Sequence, residues 1–120
     1  MFELKVKTRF AGAHQLTMVG QKCENLHGHN WKVEVVVSGD TLDNVGMIAD
    51  FGVLKSELEE LLSELDHVCL NDLDFFKSVN PTTENISKYI FIKFSDKVKP
   101  LKVNSVQVWE SESSSVKYLA

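Results

Sequence analysis

The chain has 120 residues, of which 43% are hydrophobic and 25% are charged, as in an average soluble globular protein. This length predicts one domain over residues 1–120, and the composition excludes a fibrous or disordered chain. The net charge is −4 and Arg9 is the only arginine, which argues against nucleic acid as a partner because phosphate binding needs a basic face.

The distribution of apolar residues indicates a cytoplasmic protein that contacts no membrane. No apolar run approaches the roughly 20 residues needed to span a bilayer. The first ten residues carry charges at every second position, unlike the apolar stretch of a signal peptide. In a reducing compartment the two cysteines, Cys23 and Cys69, are expected to be thiols.

Two segments of the N-terminal half alternate apolar and polar side chains. Residues 2–10 place apolar side chains at every second position, which predicts a strand with one solvated face. Residues 30–38 repeat the alternation, and Gly39 and Asp40 end it. A turn-rich segment separates the two, so we predict an antiparallel pair.

In the rest of the chain, the spacing of apolar residues changes twice. Residues 50–66 have apolar spacings of three and four, which predicts an amphipathic helix. A second helix is expected to begin at residues 81–84 and to end at Pro100. Residues 103–110 and 116–119 again resemble strands. The order ββααββ predicts an α+β fold, a four-stranded antiparallel sheet with two helices on one face.

The second face of that sheet needs an explanation. We place Val36, Val106 and Val108 on the face opposite to Val35. If both faces carry apolar side chains, a second copy of the chain is the most economical cover.

Three of the four histidines could meet at one point. His27 and His29 form an HxH pair, and residues i and i+2 of a strand project from the same face. His14 lies near the end of the first predicted strand, and antiparallel pairing can bring it beside them. Three imidazoles with no fourth protein ligand are typical of a catalytic zinc site, which keeps one position open. A coincidental surface pair is the alternative.

Cys23 lies four residues before His27 and has two interpretations. It could be a fourth zinc ligand, which would make the site closed and structural. It could instead be a nucleophile or base beside the metal, because a nearby cation lowers the pKa of a thiol. Local sequence leaves both open.

Three further positions combine acidic and imidazole chemistry. Asp66 could orient His67 for proton transfer, as a carboxylate does in hydrolase triads, or His67 could cap the predicted helix. Glu110 ends the third predicted strand, where it could accept two N–H donors from a flat heterocycle or contact solvent. Helix capping is enough to explain residues 82–84.

Six sequence blocks occur in a fixed order over nearly the whole chain: FAGAH (10–14), CENLHGH (23–29), GMIADF (46–51), LDHVCLN (65–71), PTTEN (81–85) and VWE (108–110). Together they resemble the family of 6-pyruvoyl-tetrahydropterin and 6-carboxy-tetrahydropterin synthases. The spacing between the cysteine and HGH is similar to the bacterial queuosine-pathway branch, the 6-carboxy-5,6,7,8-tetrahydropterin synthases.

The resemblance implies a tunnelling fold, in which subunit sheets join edge to edge into a barrel and trimers stack into a homohexamer. It implies Zn²⁺ bound by His14, His27 and His29. The family's catalytic set falls on Cys23, Asp66 and His67. Its pterin anchor falls on Glu110, and the segment that helps to hold the pterin falls on Thr82, Thr83 and Glu84. Active sites of the family lie between subunits.

The function implied by the resemblance is zinc-dependent conversion of 7,8-dihydroneopterin triphosphate to 6-carboxy-5,6,7,8-tetrahydropterin, acetaldehyde and triphosphate. The chain would then be a lyase of queuosine and 7-deazapurine biosynthesis. A 6-pyruvoyl-tetrahydropterin synthase, which stops after triphosphate elimination, is the first alternative. A pterin-binding module with structural zinc and no turnover is the second.

Overall fold

The computed structural model of the chain describes residues 1–17 and 25–120. The segment 18–24, which includes Cys23, lies outside the described residues, so the interpretations of that cysteine stay predictions.

A five-stranded open sheet forms the frame of the molecule. Strand β1 (Phe2–His14) pairs antiparallel with β2 (His27–Gly39) along its whole length. Strand β4 (Lys102–Ser111) pairs antiparallel with β2 and with β5 (Ser114–Leu119). The fifth strand, β3 (Val68–Cys69), lies parallel to the outer edge of β1, and the order is β3-β1-β2-β4-β5.

The predicted count of four strands is therefore wrong by one. Strand β3 has two residues, and a two-residue segment cannot display the alternation that identifies a strand in sequence. The ββααββ order of the longer elements is confirmed. Among the described residues, the sheet ends at β3 on one side and at β5 on the other and does not close on itself.

Two helices cover one face of the sheet. Helix α1 (Phe51–Leu62) begins after Asp50, whose carboxylate accepts the Val53 N–H at 3.1 Å as an N-cap. Helix α2 (Thr83–Lys97) begins after Thr82, whose hydroxyl accepts the Asn85 N–H at 3.1 Å. Within the described ranges, neither helix is long and apolar enough to cross a membrane.

The first helix is shorter than predicted. It ends at Leu62, because later backbone amides bond to the carbonyl three residues earlier instead of four. The Glu64 N–H donates to the Leu61 carbonyl and the Leu65 N–H donates to the Leu62 carbonyl. This tightened turn places Leu65 in the core with no exposed surface. The apolar spacing continues through the turn, which explains why the sequence pattern extended the helix.

The core lies between the helices and a single face of the sheet. Val106 pairs with Val35 and Val108 with Val33, so all four point into the core. Placing Val106 and Val108 on the opposite face was wrong, because the alternation within β4 does not determine its register against β2.

The second sheet face is polar rather than apolar. Val36 lies between Lys5 of β1 and Ser105 of β4. On the same face Glu34 is 3.3 Å from the Lys5 ammonium and 3.5 Å from that of Lys7. A polar face does not need to be covered by a second copy of the chain, so this face gives no argument for self-association.

We expect Trp31→Ala to destabilise the fold by about 3–5 kcal/mol, the range for removing a large buried aromatic side chain. The Trp31 ring is fully buried, stacks on Phe10 at 5.9 Å between centroids, and donates its indole N–H to the Gly12 carbonyl at 3.1 Å. Denaturant unfolding would measure the loss. The matched control is Trp109→Ala on the solvated face, where the Lys32 ammonium lies 4.4 Å from the ring centroid. Equal losses in the two variants would contradict this account.

Candidate functional site

The three sequence-selected histidines lie together at one end of the sheet. His14 ends β1 and pairs directly with His27, the first residue of β2. His29 projects from the same face as His27 because it lies two residues further along the strand. One nitrogen from each of the three rings lies within 4.8 Å of the others. The prediction that these imidazoles meet is confirmed.

The outer nitrogens of two rings are held by backbone carbonyls. The Nδ1 atom of His14 donates to the Pro81 carbonyl at 2.7 Å, and the Nδ1 atom of His27 donates to the Asn25 carbonyl at 2.7 Å. A carbonyl can only accept, so both Nδ1 atoms carry protons and both neutral rings keep a lone pair on Nε2.

Those two Nε2 atoms face each other at 3.1 Å. Two lone pairs at this distance repel, so a proton or a metal cation between them is needed to make the contact favourable. Tetrahedral zinc with Zn–N bonds of about 2.0–2.1 Å separates its ligand nitrogens by roughly 3.3 Å. The separation of the two rings therefore fits such an ion, and the three imidazoles could hold a metal.

An aromatic side chain supports this histidine cluster. The Trp31 ring lies 5.0 Å from the ring centroids of both His14 and His29, edge to face. His14 has no exposed surface, whereas His27 and His29 are half-buried. The cluster is thus dry on the core side and open on the other, which suits a site with one free coordination position.

Glu110 lies beside the cluster and is held by the start of α2. Its Oε1 atom is 3.7 Å from the Nε2 atom of His29, and its Oε2 atom accepts the Thr83 hydroxyl at 3.1 Å. Thr82 caps the same helix, and Glu84 is exposed in its first turn. Of the predicted pterin-holding segment, Thr83 is thus the residue in contact with Glu110.

Asp66 and His67 form a second polar pair, at the outer edge of β1. One carboxylate oxygen of Asp66 accepts the Ala11 N–H at 2.8 Å, and the other lies 2.9 Å from the Nδ1 atom of His67. His67 has a φ of +57° and a largely exposed ring. It comes after the turn that ends α1, so it does not cap that helix.

An open cleft adjoins both His29 and His67. Its volume is about 530 Å³. The floor of the cleft is formed largely by small residues of β1 and β2: Ala11, Gly12, Ala13 and Gly28. Because the side chains of Ala11 and Ala13 project from the face opposite to that of His14, the cleft lies mainly on the sheet face opposite to the histidine rings.

We expect the stabilising effect of the Asp66 charge to disappear in acid. The Ala11 N–H, and next the His67 ring, hold the pKa of the Asp66 carboxyl below its usual value of 3.8. Because the folded-state pKa is lowered, the contribution is complete above pH 3.8 and is lost as the pH falls through the lowered value. The free-energy difference between wild type and Asp66→Asn, measured by urea unfolding, should therefore shrink below that pH. A difference that grows in acid would contradict the assignment.

Several contacts of the site have no signal in the sequence. The carbonyls of Asn25 and Pro81 orient two histidines, but a backbone group is independent of residue type. The Thr83–Glu110 contact joins residues 27 positions apart on a helix and a strand. Local pattern could suggest only helix capping for this threonine.

Comparison with known proteins shows the family of the chain. The 6-pyruvoyl tetrahydropterin synthase family model matches residues 3–120. A 6-carboxy-5,6,7,8-tetrahydropterin synthase of Synechocystis sp. is 39% identical over 116 residues, covering 92% of this chain and 88% of the relative. The human 6-pyruvoyl tetrahydrobiopterin synthase is 39% identical over 102 residues, covering 81% and 70%.

A solved structure shares the fold. The 6-pyruvoyl tetrahydropterin synthase of Caenorhabditis elegans superposes with a TM-score of 0.85 at 26% identity, covering 99% of this chain and 95% of that one. The match of the family model to nearly every residue, together with these relatives, decides the assignment. The chain belongs to the 6-pyruvoyl tetrahydropterin synthase family.

Proposed function

We propose that the chain converts 7,8-dihydroneopterin triphosphate and one water molecule to 6-carboxy-5,6,7,8-tetrahydropterin, acetaldehyde and triphosphate, with Zn²⁺ held by His14, His27 and His29. The observation that carries the proposal is the 3.1 Å separation of the Nε2 atoms of His14 and His27, together with the nearby ring nitrogen of His29, an arrangement that a bound cation would make favourable. The 6-carboxy product is chosen because that name belongs to the Synechocystis relative, which covers 92% of the chain.

The histidine cluster and Glu110 would bind the substrate. When bound, zinc supplies a Lewis acid for the hydroxyl groups of the pterin side chain. Glu110 accepts N–H donors from the flat ring, since a carboxylate matches two parallel donors. The Thr83 hydroxyl, 3.1 Å from Oε2, keeps that carboxylate turned toward the cluster.

Proton transfer is assigned to Cys23 and to the Asp66–His67 pair. Asp66 accepts from Nδ1 of His67 at 2.9 Å, which leaves Nε2 of the ring free to take or give a proton. Cys23 as a thiolate would move the proton between side chain and ring. Thr82 and Glu84 would help to hold the pterin from the first turn of α2.

The assembly we propose is a homohexamer, a dimer of trimers, in the cytoplasm. Two features of the single chain support association. Within the described part of the chain, the sheet ends at β3 and β5, whose outer edges can pair with other strands. The His67 side chain is 81% exposed, so it can reach a site completed by a neighbouring copy. Neither nucleic acid nor a membrane is part of the proposal.

The alternative product is 6-pyruvoyl-tetrahydropterin. It is favoured by the human relative, a 6-pyruvoyl tetrahydrobiopterin synthase at 39% identity. The same site residues would serve both reactions, because the two reactions diverge only after triphosphate elimination. A pterin-binding module with structural zinc is the non-catalytic alternative, and it requires Cys23 as the fourth ligand.

A product assay separates these functions. The zinc-loaded protein is incubated with 7,8-dihydroneopterin triphosphate, and the products are identified by mass spectrometry. We expect 6-carboxytetrahydropterin together with acetaldehyde. The 6-pyruvoyl product would transfer the chain to the other branch, and unchanged substrate in the presence of bound zinc would favour the binding module.

A further inference from the structure

Two asparagine side chains hold the backbone immediately beyond His14. The Gln15 N–H donates to Oδ1 of Asn71 at 2.8 Å, and Nδ2 of Asn71 donates to the Gln15 carbonyl at 2.7 Å. Asn80 repeats this two-point contact on Thr17, with distances of 2.9 and 2.8 Å. Each side-chain amide therefore binds a backbone N–H and C=O as a neighbouring strand would.

These contacts continue the outer edge of β1. Alternate residues of a strand direct their N–H and C=O groups to the same edge. At this edge Ala11 bonds to the Asp66 carboxylate and to the His67 N–H, and Ala13 lies opposite Cys69 of β3. After β3 ends, Asn71 and Asn80 continue this series of hydrogen bonds along the edge. The backbone is therefore hydrogen-bonded at this edge from residue 11 to residue 17.

His14 lies within residues 11–17, and the pairing of β1 with β2 ends at His14. The His14↔His27 pair is the last in the β1–β2 register. On the C-terminal side of His14, the side-chain amides of Asn71 and Asn80 hold the backbone at the opposite edge. A displacement of Gln15 or Thr17 would move the His14 ring relative to those of His27 and His29.

Asn80 has a second connection to the same ring. The Asn80 carbonyl accepts the side-chain amide of Asn85 at 2.9 Å, and the next carbonyl, that of Pro81, accepts Nδ1–H of His14. The residue that holds Thr17 is thus adjacent to the group that orients the imidazole. A metal-binding histidine needs such a partner to direct its other nitrogen at the ion.

We propose that Asn71 and Asn80 are positioning residues for the metal ligand His14, acting through their paired amide contacts on Gln15 and Thr17. The inference rests on the proposed metal site. Neither asparagine touches the ion or the substrate. Each keeps the Nε2 atom of His14 at the separation from His27 that a tetrahedral ion requires.

The test measures Co²⁺ binding rather than turnover. Asn71→Ala and Asn80→Ala are compared with wild type by chelator competition and by visible absorption of the Co²⁺ complex. We expect binding to weaken about 10–100-fold, as for other partners of metal ligands, with an altered spectrum. Should an alanine variant fail to fold, Asn71→Asp and Asn80→Asp keep the side-chain shape and replace the amide donor with a charged acceptor that repels the Gln15 or Thr17 carbonyl, and the same weakening of Co²⁺ binding is expected.

The matched control is Asn104→Ala, because Asn104 also donates its side-chain amide, to Glu3 at 2.7 Å, but near the opposite end of β1. It is expected to lower the melting temperature without changing Co²⁺ affinity. Wild-type affinity and spectrum in the Asn71 and Asn80 variants would overturn the inference. The inference would also be overturned if Asn104→Ala weakened Co²⁺ binding in the same proportion to its loss of stability as the Asn71 and Asn80 variants do. If wild-type protein and His27→Ala bind Co²⁺ equally, the proposed metal site itself fails.

Discussion

His27→Ala is expected to lose stoichiometric metal and, with it, all turnover of the pterin substrate. The ring supplies one of three nitrogens that lie within 4.8 Å of one another, and no other residue in the two described ranges joins that cluster. Because His27 is half-buried, the substitution leaves a smaller cavity than removal of the fully buried His14 would. Metal analysis of the purified variant and a product assay measure the two losses.

The control for this experiment is His67→Ala. His67 lies outside the cluster and contacts Asp66, so its loss should lower turnover while the metal content stays at one ion per chain. Metal at the wild-type level in His27→Ala would contradict the site. A loss of metal in His67→Ala would show that the two groups are not separate.

Cys23→Ala is expected to abolish turnover and to leave zinc bound. Three imidazoles are a complete protein ligand set for a catalytic zinc site, so the thiol is not needed to hold the ion. Its proposed role is to move a proton as the thiolate, and alanine cannot do so. Zinc content and product formation are measured on the same preparation, with Cys69→Ala as the matched cysteine control.

The outcome that would reverse this role is specific. If Cys23→Ala loses stoichiometric zinc while Cys69→Ala keeps it, Cys23 is a ligand and the site is closed. The chain would then fit the binding module better than the enzyme. Full turnover in Cys23→Ala would instead remove the thiol from the reaction.

The parts of the fold that depend on local periodicity could be predicted from sequence. Alternation over residues 2–10 and 30–38 identified β1 and β2, and each strand extends further in the structure. The HxH pair and the predicted antiparallel partner suggested that His14 could lie beside His27, and the structure brings them together. Strand geometry alone puts His27 and His29 on one face, whereas the register of β1 on β2 brings His14 opposite His27.

The parts of the fold that depend on relations between distant segments could not be predicted from the sequence. The faces of Val106 and Val108 are set by the register of β4 on β2, which includes a shift between Val36 and Val37. The turn after Leu62 ends α1 although the apolar spacing continues. Neither the register nor the change in hydrogen bonding leaves a mark on residue type.

The site shows the same division. Residue chemistry pointed to three histidines, an Asp–His pair and a glutamate, and the structure brings His14, His27 and His29 together. The supporting groups were not visible, because backbone carbonyls and amide side chains such as Asn71 have many ordinary uses. The contacts of Asn71 and of the Pro81 carbonyl join residues more than 50 positions apart, so they are evident only in the structure.

X-ray absorption at the zinc edge of the metal-loaded wild-type protein tests the central claim most directly. Three imidazoles and one exchangeable position predict a first shell of nitrogen and oxygen only, at about 2.0–2.1 Å. A sulfur scatterer at about 2.3 Å would contradict the open site, because it would make Cys23 a ligand and the zinc structural.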